Sequence, residues 1–145
     1  TLTSWNSTGT QYYYGANGRL SNSKSPVLTC PTASDKFTVN TSNGNGALTY
    51  PVGLITADEI AMAGGVYTNN NSSYYLYTNQ TYCSGSPYYF DGYAAVAYGF
   101  YVSSSGNFSA HDVNYTDGAR PVVSLSSEAK LSGNGTYNDV YTVSW

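Results

Sequence analysis

A long stretch of this chain is rich in tyrosine and almost free of formal charge. Ten of the 17 Tyr residues fall between Tyr74 and Tyr115, and Asp91 is the only formally charged residue from Ile60 through His111. The remainder of the stretch is mostly Ser, Gly, Asn, Ala and Thr. Because solvated faces of ordinary domains carry more Lys and Glu, this composition argues against a conventional charged exterior.

Two interpretations of this composition stay open. Tyr supplies a large amphipathic surface with few rotatable bonds, while Ser, Gly and Asn supply adaptable hydrogen bonding, as in antibody paratopes. On this interpretation the stretch is a recognition surface. On the other, the rings simply pack against each other across the strands of a Tyr-rich sheet.

Length and charge restrict the remaining function classes. A chain of 145 residues fits one compact domain, 1–145. The net charge is −3 without any run of Lys or Arg, which argues against nucleic acid or anionic lipid as a partner. No apolar stretch reaches the roughly 18 residues of a membrane span, so we expect no direct membrane insertion. The chain opens at Thr1 without Met or signal peptide, so we expect any targeting segment to have been cut away or to lie outside this sequence.

The residue pattern predicts an α+β domain rich in strands and loops, with one clear helix. Thr56 and Glu59 match a capping box and Gly64-Gly65 supplies a stop, which places the helix near 57–63. We assign Asp58 and Glu59 to capping and to the helix dipole rather than to a catalytic carboxylate pair. The apolar positions expected to pack on a sheet are Ile60, Met62 and Ala63.

Short strands are predicted on both sides of this helix. Before it, strand-like patterns occur at 11–14, 27–29 and 36–40, with a turn at 41–46. After it, 81–87 is a Gly-, Ser- and Pro-bearing segment, followed by a buried strand at 94–102, a hairpin turn at 103–107 and a returning strand at 108–113. Two later strands are expected at 120–125 and 140–145, around a loop at 131–139. On the strand at 94–102, we expect Val96 and Val102 to face inward.

Few side chains are suited to catalysis or metal binding. His111 is the only His, no GxSxG motif occurs, and the two Cys residues lack any zinc-like spacing. We therefore expect no catalytic residue, no metal and no cofactor. A lesser alternative is a glycosidase that uses Asp91 and Asp112 as its two carboxylates.

The two cysteines, Cys30 and Cys83, lie 53 positions apart. In an oxidising compartment they could form a disulfide, which would restrict the unfolded chain by roughly 4 kcal/mol. Two unrelated thiols are the other interpretation. Low charge with abundant Asn, Ser, Thr and Tyr favours an extracellular setting.

Several phrases of the sequence resemble a single known domain. The stretches at 48–65 (LTYPVGLITADEIAMAGG) and 118–143 (GARPVVSLSSEAKLSGNGTYNDVYTV) are similar to a domain of surface and pilin-like proteins of Gram-positive gut bacteria. YYYGA at 12–16 and DKFTV at 35–39 fit the same domain. That domain resembles the C-type-lectin-like fold of formylglycine-generating enzymes and of the variable proteins of diversity-generating retroelements. The resemblance implies a C-type-lectin-like fold at a bacterial cell surface.

The resemblance to retroelement variable proteins also implies a changeable face. In those proteins, error-prone reverse transcription at adenines randomises selected codons near the C-terminal end. Residues 82–117 are filled with the residue types that such codons yield, while GARP at 118–121 keeps the family pattern. Cys83 is then either half of a disulfide or a product of diversification. The calcium-and-sugar tripeptides of animal C-type lectins and the paired catalytic cysteines of formylglycine-generating enzymes are absent, so neither activity is implied.

Composition and resemblance together predict a non-enzymatic ligand-binding or adhesion domain whose partner is an unidentified protein or glycan. We expect Ala at Tyr88, Tyr93 or Tyr115 to leave the melting temperature nearly unchanged and to abolish binding. The alternative is a pilin-like or filament subunit that self-assembles through its Tyr-rich surface. The candidate contact residues are Tyr88, Tyr89, Asp91, Tyr93, Tyr98, Tyr101, His111, Asp112, Asn114, Tyr115 and Asp117.

Overall fold

Strands dominate the chain, as the computed structural model shows for residues 11–30, 49–50, 52–123, 125, 128–136 and 138–144. The strands are β1 (Gln11–Tyr13), β2 (Val52–Leu54), β3 (Tyr82–Asp91), β4 (Val96–Val102), β5 (Phe108–Asp112), β6 (Gly118–Ala119), β7 (Pro121–Val123), β8 (Lys130–Ser132) and β9 (Thr142–Ser144). The helices are α1 (Gly15–Asn17), which continues as a π-helical stretch (Gly18–Ser23), and α2 (Ala57–Met62). The predicted α+β class is confirmed, and the predicted strand at 36–40 and turn at 41–46 lie outside the described residues.

The main sheet has the strand order β1-β3-β4-β5, and β6 joins it beside β3. Neighbours on this path are antiparallel, whereas β6 runs parallel to β3. The predicted hairpin between β4 and β5 is confirmed: Ser103 N–H donates to the carbonyl of Asn107 at 2.9 Å. Within that turn Gly106 has φ +77°, a conformation that favours glycine.

The first half of β3 is irregular. Its Gly, Ser and Pro content disfavours a regular strand, yet β3 already begins at Tyr82. The pairing with β4 shifts register between Cys83 and Pro87, and again between Pro87 and Tyr89. Such bulges tolerate Pro87, which has no N–H to donate. Gly85 N–H instead donates to the carbonyl of Ile55 at 2.8 Å.

The hydrophobic core lies against one face of the main sheet, which we call the inner face; the opposite side is the outer face. Phe100, Val102 and Phe108 are almost fully buried there, and each contributes about 1.5–3 kcal/mol through burial. The inward prediction is confirmed for Val102. Val96 lies on the same side by alternation but at the sheet end, where it is only half-buried.

Helix α2 begins where the capping pattern places it. Thr56 Oγ1 accepts the N–H of Glu59 at 3.2 Å, and Glu59 Oε2 accepts the N–H of Thr56 at 2.8 Å. Ile60 is fully buried and Ala63 packs against the core, as expected. The prediction is wrong for Met62, which is 57% exposed because it follows Ile60 by two positions and so turns to the other side of the helix.

The helical segment 15–23, comprising α1 and its π-helical continuation, has no counterpart in the sequence prediction. Tertiary contacts hold it, since Leu20 is buried and Arg19 bonds to Asp58. Arg19 Nε and Nη2 donate to the two carboxylate oxygens of Asp58 at 3.1 and 2.7 Å. The N–H of Val27 donates to the same carboxylate at 2.9 Å. The capping assignment therefore holds for Glu59. It is incomplete for Asp58, because the buried Asp58 carboxylate also connects α2 to segment 15–23 and to Val27.

Two small antiparallel sheets complete the described part. β2 pairs with β7, and β8 pairs with β9. The predicted strands at 120–125 and 140–145 are thus confirmed in shorter form, whereas the predicted loop at 131–139 is wrong at its start because β8 includes Leu131 and Ser132. The predicted strand at 27–29 is also wrong, since these residues form no regular element.

Candidate functional site

The candidate contact residues lie on both faces of the main sheet rather than on one. Alternation along β4 turns Tyr98 to the inner face, with Phe100 and Val102, and turns Tyr101 to the outer face. On β5, His111 lies opposite Gly99 and shares the outer face with Tyr101. The structure therefore divides the predicted set into an inner and an outer group.

The inner group is a row of stacked tyrosines. The Tyr89 and Tyr98 rings stack at 4.4 Å between centroids, and Tyr13 stacks on Tyr89 at 5.5 Å. Tyr88 is the extra residue of a β3 bulge, so it points to the same side as Tyr89 and meets Phe100 edge-on at 5.0 Å. The cross-strand interpretation of the tyrosines is confirmed for this row. These ring contacts argue against the expectation that Ala at Tyr88 leaves the melting temperature nearly unchanged.

Three phenols of the structure are held in their neutral form. Burial, and then a hydrogen bond with Tyr98, raises the pKa of Tyr89 to about 12. Burial also raises the pKa of Tyr67 and Tyr74 well above the usual range, aided by hydrogen bonds with Tyr88 and Tyr82 respectively. At neutral pH these hydroxyls are hydrogen-bonding groups rather than bases or nucleophiles.

The outer face carries a histidine held between two tyrosine rings. The His111 ring lies parallel to Tyr101 at 3.8 Å and to Tyr115 at 4.8 Å. Tyr115 belongs to segment 113–117, which starts where Val113 N–H bonds to Ala97 and ends beside Thr81. Since Ala97 and Thr81 lie at opposite ends of the main sheet, this segment crosses the outer face. We call the three rings the His111 stack.

Asp117 fastens the end of this crossing segment to the sheet. Its Oδ2 lies 2.6 Å from His111 Nε2, and the Asp117 side chain is 9% exposed. Oδ2 is buried and receives no aligned hydrogen bond from the described residues, so the contact is an ion pair when the imidazole is protonated. Asp117 is therefore largely buried against His111 and supports the His111 stack.

The most accessible candidate residues lie in or next to the His111 stack and in the β3–β4 turn. Tyr93 is 73% exposed and Tyr115 is 64% exposed, and Asn114, next to Tyr115 in the chain, is also exposed. Asp91 closes the turn, because its Oδ1 accepts the N–H groups of Tyr93 at 2.9 Å and Ala94 at 3.2 Å. The carboxylate that a glycosidase would need at Asp91 is therefore engaged by backbone. Asp112, half-buried, pairs in register with Tyr98 on β4.

A cleft of about 300 Å³ opens on the outer face next to the His111 stack. Ala97 and Gly99 of β4 and Phe90 of β3 line it, and the exposed Val113 forms one side. A Cβ atom at Gly99 would lie 3.6 Å from Val113 Cγ1, an ordinary van der Waals contact. The cleft is open at Gly99 because glycine has no side chain, although the backbone conformation there would also accept a larger residue.

Sequence reasoning missed a second concave region, on the inner face, where Tyr13 and Tyr67 meet Tyr88. Tyr13 occurs in a phrase that resembles the fixed scaffold, and Tyr67 lies before the Tyr-rich segment 82–117. The only signal in the sequence is the residue type itself. The helical segment 15–23, which forms the opposite wall, carries no pattern that predicts it.

No disulfide joins Cys30 and Cys83 in the structure, which favours the interpretation of two unrelated thiols. Cys83 pairs with Tyr101 and Ala119 inside the main sheet. Cys30 lies in the irregular stretch that follows segment 15–23.

Among the described residues, no group of three or more His, Cys, Asp and Glu side chains is arranged to hold a metal ion. Nor does that part of the chain contain a helix with the length and apolar character to cross a membrane. No protein-family model, curated protein or solved structure matches this chain.

Proposed function

We propose that this chain is a non-enzymatic binding domain that holds a protein or glycan ligand on the outer face of its main sheet. The exposed Tyr115 ring, fixed on His111 before any ligand arrives, is the observation that carries the proposal. Aromatic anchors of this kind dominate the energetics of recognition surfaces. Tyr93 and Asn114 extend the surface, and the cleft at Gly99 gives it a concave part.

Preorganisation is the physical reason why the His111 stack suits binding. A mobile exposed side chain loses rotamer freedom when a partner covers it, and this loss weakens the complex. Tyr115 has already lost much of that freedom, because His111 supports its ring and the contact with Asp117 fixes the segment. The hydroxyl of Tyr115 and the amide of Asn114 remain available for directed hydrogen bonds.

The proposal includes a C-type-lectin-like fold and an extracellular position on a bacterial surface. Support for the fold comes from the antiparallel α+β architecture together with the phrases at 48–65 and 118–143. The contact surface draws nearly all its residues from 82–117, the segment whose residue types match retroelement diversification. The ligand would then differ between copies of the domain, while the scaffold stays fixed.

The test compares matched tyrosine substitutions on arrays of glycans and of extracellular proteins. A Tyr93→Ser/Tyr115→Ser variant removes two rings of the surface, and Tyr75→Ser removes a ring that is 87% exposed but lies outside it. We expect the wild type to bind at least one array member, and the double variant to bind it at least about tenfold more weakly. Tyr75→Ser should retain wild-type affinity. Equal binding by the double variant, or equal loss in both variants, would contradict the proposal.

A second candidate function, a filament subunit, is favoured by the β8–β9 hairpin. This hairpin exposes Leu131 and Val143, and among the described residues β8 and β9 pair only with each other. Strand edges without a partner pair readily with other chains. Sedimentation velocity at micromolar concentration separates the candidates. Assembly that disappears in a Leu131→Ser/Val143→Ser variant and persists in Tyr93→Ser/Tyr115→Ser would favour the subunit. A monomer at all concentrations favours the binding domain.

A further inference from the structure

We propose that a second ligand site, selective for an acidic sugar residue, lies in the groove between the helical segment 15–23 and the tyrosines of the inner face. The groove has a volume of about 620 Å³, a size typical of small-molecule sites. It opens on the side of the sheet opposite the His111 stack. The proposal is therefore independent of the function proposed for the outer face.

One wall of the groove is aromatic. The Tyr67 and Tyr88 rings stack with centroids 5.7 Å apart, and Tyr13 lines the groove beside them. The Tyr67 ring also meets Phe100 and Phe108 edge-on, with centroids 6.0 and 6.1 Å apart, so the core supports this wall. A pyranose has one face of C–H groups that packs on an aromatic surface, and hydroxyls at its edge that phenols can bond.

The opposite wall carries uncharged hydrogen-bonding groups from segment 15–23. Asn17, Ser21 and Asn22 line it. Asn17 is only 7% exposed, and its Oδ1 accepts a hydrogen bond from Ser21 Oγ at 3.3 Å. The amide groups of Asn17 and Asn22 can donate to and accept from the hydroxyls of a sugar in the groove.

Lys24 gives the groove its charge selectivity. It is the only charged side chain among the described residues that line the groove, and its Nζ lies 5.3 Å from the centroid of the Tyr67 ring. Nζ donates to the backbone carbonyl of Tyr67 at 3.4 Å, which leaves further N–H groups for a ligand carboxylate. The ion pairs of the described residues join Arg19 to Asp58 and His111 to Asp117, and none of them involves Lys24. A ligand with a carboxylate is thus preferred over a neutral one.

The backbone at the rim is held in an unusual conformation. Lys24 and Thr68 both line the groove and both have left-handed φ angles, 52° and 66°. A β-branched residue such as Thr rarely adopts this conformation, and residues of this kind concentrate at ligand sites. The N–H of Thr68 bonds to the carbonyl of Phe108 at 2.8 Å, so the core holds it in place.

In the experiment, the chain is titrated with methyl glucuronide and with methyl glucoside, and the chemical shifts of the backbone amides are measured by NMR. The glucuronide carries a carboxylate where the glucoside carries a hydroxymethyl group. Amide shifts at Asn17, Asn22 and Lys24 are expected, with the glucuronide bound at least about tenfold more tightly than the glucoside. Lys24→Met should lower the affinity for glucuronide to that for glucoside. Lys130→Met, on the exposed β8 strand, is the matched control and should leave it unchanged.

Three results would overturn the proposal, and two of them need no variant. Equal binding of glucoside and glucuronide would remove the charge selectivity. Equal binding of acetate and glucuronide would reduce the site to a simple anion site. Unchanged glucuronide affinity in a folded Lys24→Met chain would exclude Lys24. The Tyr93→Ser/Tyr115→Ser variant should keep full glucuronide binding. The proposal for the outer face can therefore fail without affecting the proposal for the groove.

Discussion

Tyr88 and Tyr93 are five positions apart, yet the same substitution is expected to have different effects at each. Tyr88 contacts Phe100, Tyr67 and Tyr89, whereas the Tyr93 ring is exposed at a turn. Tyr88→Ala should lower the free energy of unfolding by about 2–3 kcal/mol, and Tyr93→Ala by less than about 0.5 kcal/mol. Urea denaturation measures both. Equal losses at the two positions would show that the inner and outer groups are wrongly divided.

Asp58 and Glu59 are adjacent carboxylates with different structural roles. Asp58→Asn weakens the charge-assisted bonds to Arg19, in a buried position, and should cost about 2 kcal/mol. Glu59→Gln should cost less than about 0.5 kcal/mol, because Gln also completes a capping box. Thermal or urea unfolding of the two variants checks this. The account of α2 fails if Glu59→Gln is the more damaging change.

Local residue chemistry made part of this structure predictable. The capping box of Thr56 and Glu59 depends on residues three positions apart, and the helix near 57–63 follows from it. The bond between Arg19 and Asp58 joins residues 39 positions apart, so no local pattern contains it. The same limit hid the groove at Tyr67, whose walls come from distant parts of the chain.

At the scale of elements, the β4–β5 hairpin tests the difference between two glycines. A Cβ at Gly106 would lie 2.2 Å from the carbonyl oxygen of Asn71, and φ there is +77°. Gly106→Ala should therefore destabilise the chain by more than about 2 kcal/mol. Gly99→Ala should change stability by less than about 1 kcal/mol while narrowing the outer-face cleft. Differential scanning calorimetry compares the two, and a milder effect at Gly106 than at Gly99 would contradict the hairpin geometry.

The GARP phrase at 118–121, which spans β6 and the start of β7, makes contacts that support the fold. Gly118 lies close to the carbonyl of Thr81, where a Cβ would approach to 2.9 Å. Arg120 Nη1 donates to the carbonyl of Leu76 at 2.8 Å, and its guanidinium lies 4.3 Å from the centre of the Tyr82 ring. These contacts anchor the connection to the main sheet on which the outer face depends.

Bulges explain why the sidedness of the candidate site could not be predicted. Strict alternation would place Tyr88 and Tyr89 on opposite faces, but the register shift before Tyr89 places both on the inner face. On the regular strand β4, alternation places Phe100 and Tyr101 on opposite faces, as observed. Alternation along the sequence therefore could not show which tyrosines of the candidate segment face outward.

At the scale of the whole molecule, the neutral tyrosines predict a loss of stability in alkali. Burial raises the pKa of Tyr89 to about 12 in the folded chain, whereas the pKa of an unfolded Tyr is near 10.0. The unfolded phenols lose protons first, so the contribution of the neutral phenol is complete below pH 10 and falls as the pH rises toward 12. Urea midpoints at increasing pH should decline over this range. A Tyr89→Phe variant should decline less steeply, with Tyr75→Phe as control, and a flat profile would contradict the assignment.

The division of the tyrosines between a buried inner face and an accessible outer face is the central claim, and hydroxyl-radical footprinting with mass spectrometry tests it most directly. Tyr93 and Tyr115 should be oxidised rapidly, at a rate close to that of Tyr75. Tyr74 and Tyr82 should be protected from oxidation, because both are buried and their hydroxyls form a hydrogen bond of 2.6 Å. Tyr88 should be oxidised at an intermediate rate. Oxidation of Tyr82 as fast as that of Tyr93 would contradict the claim.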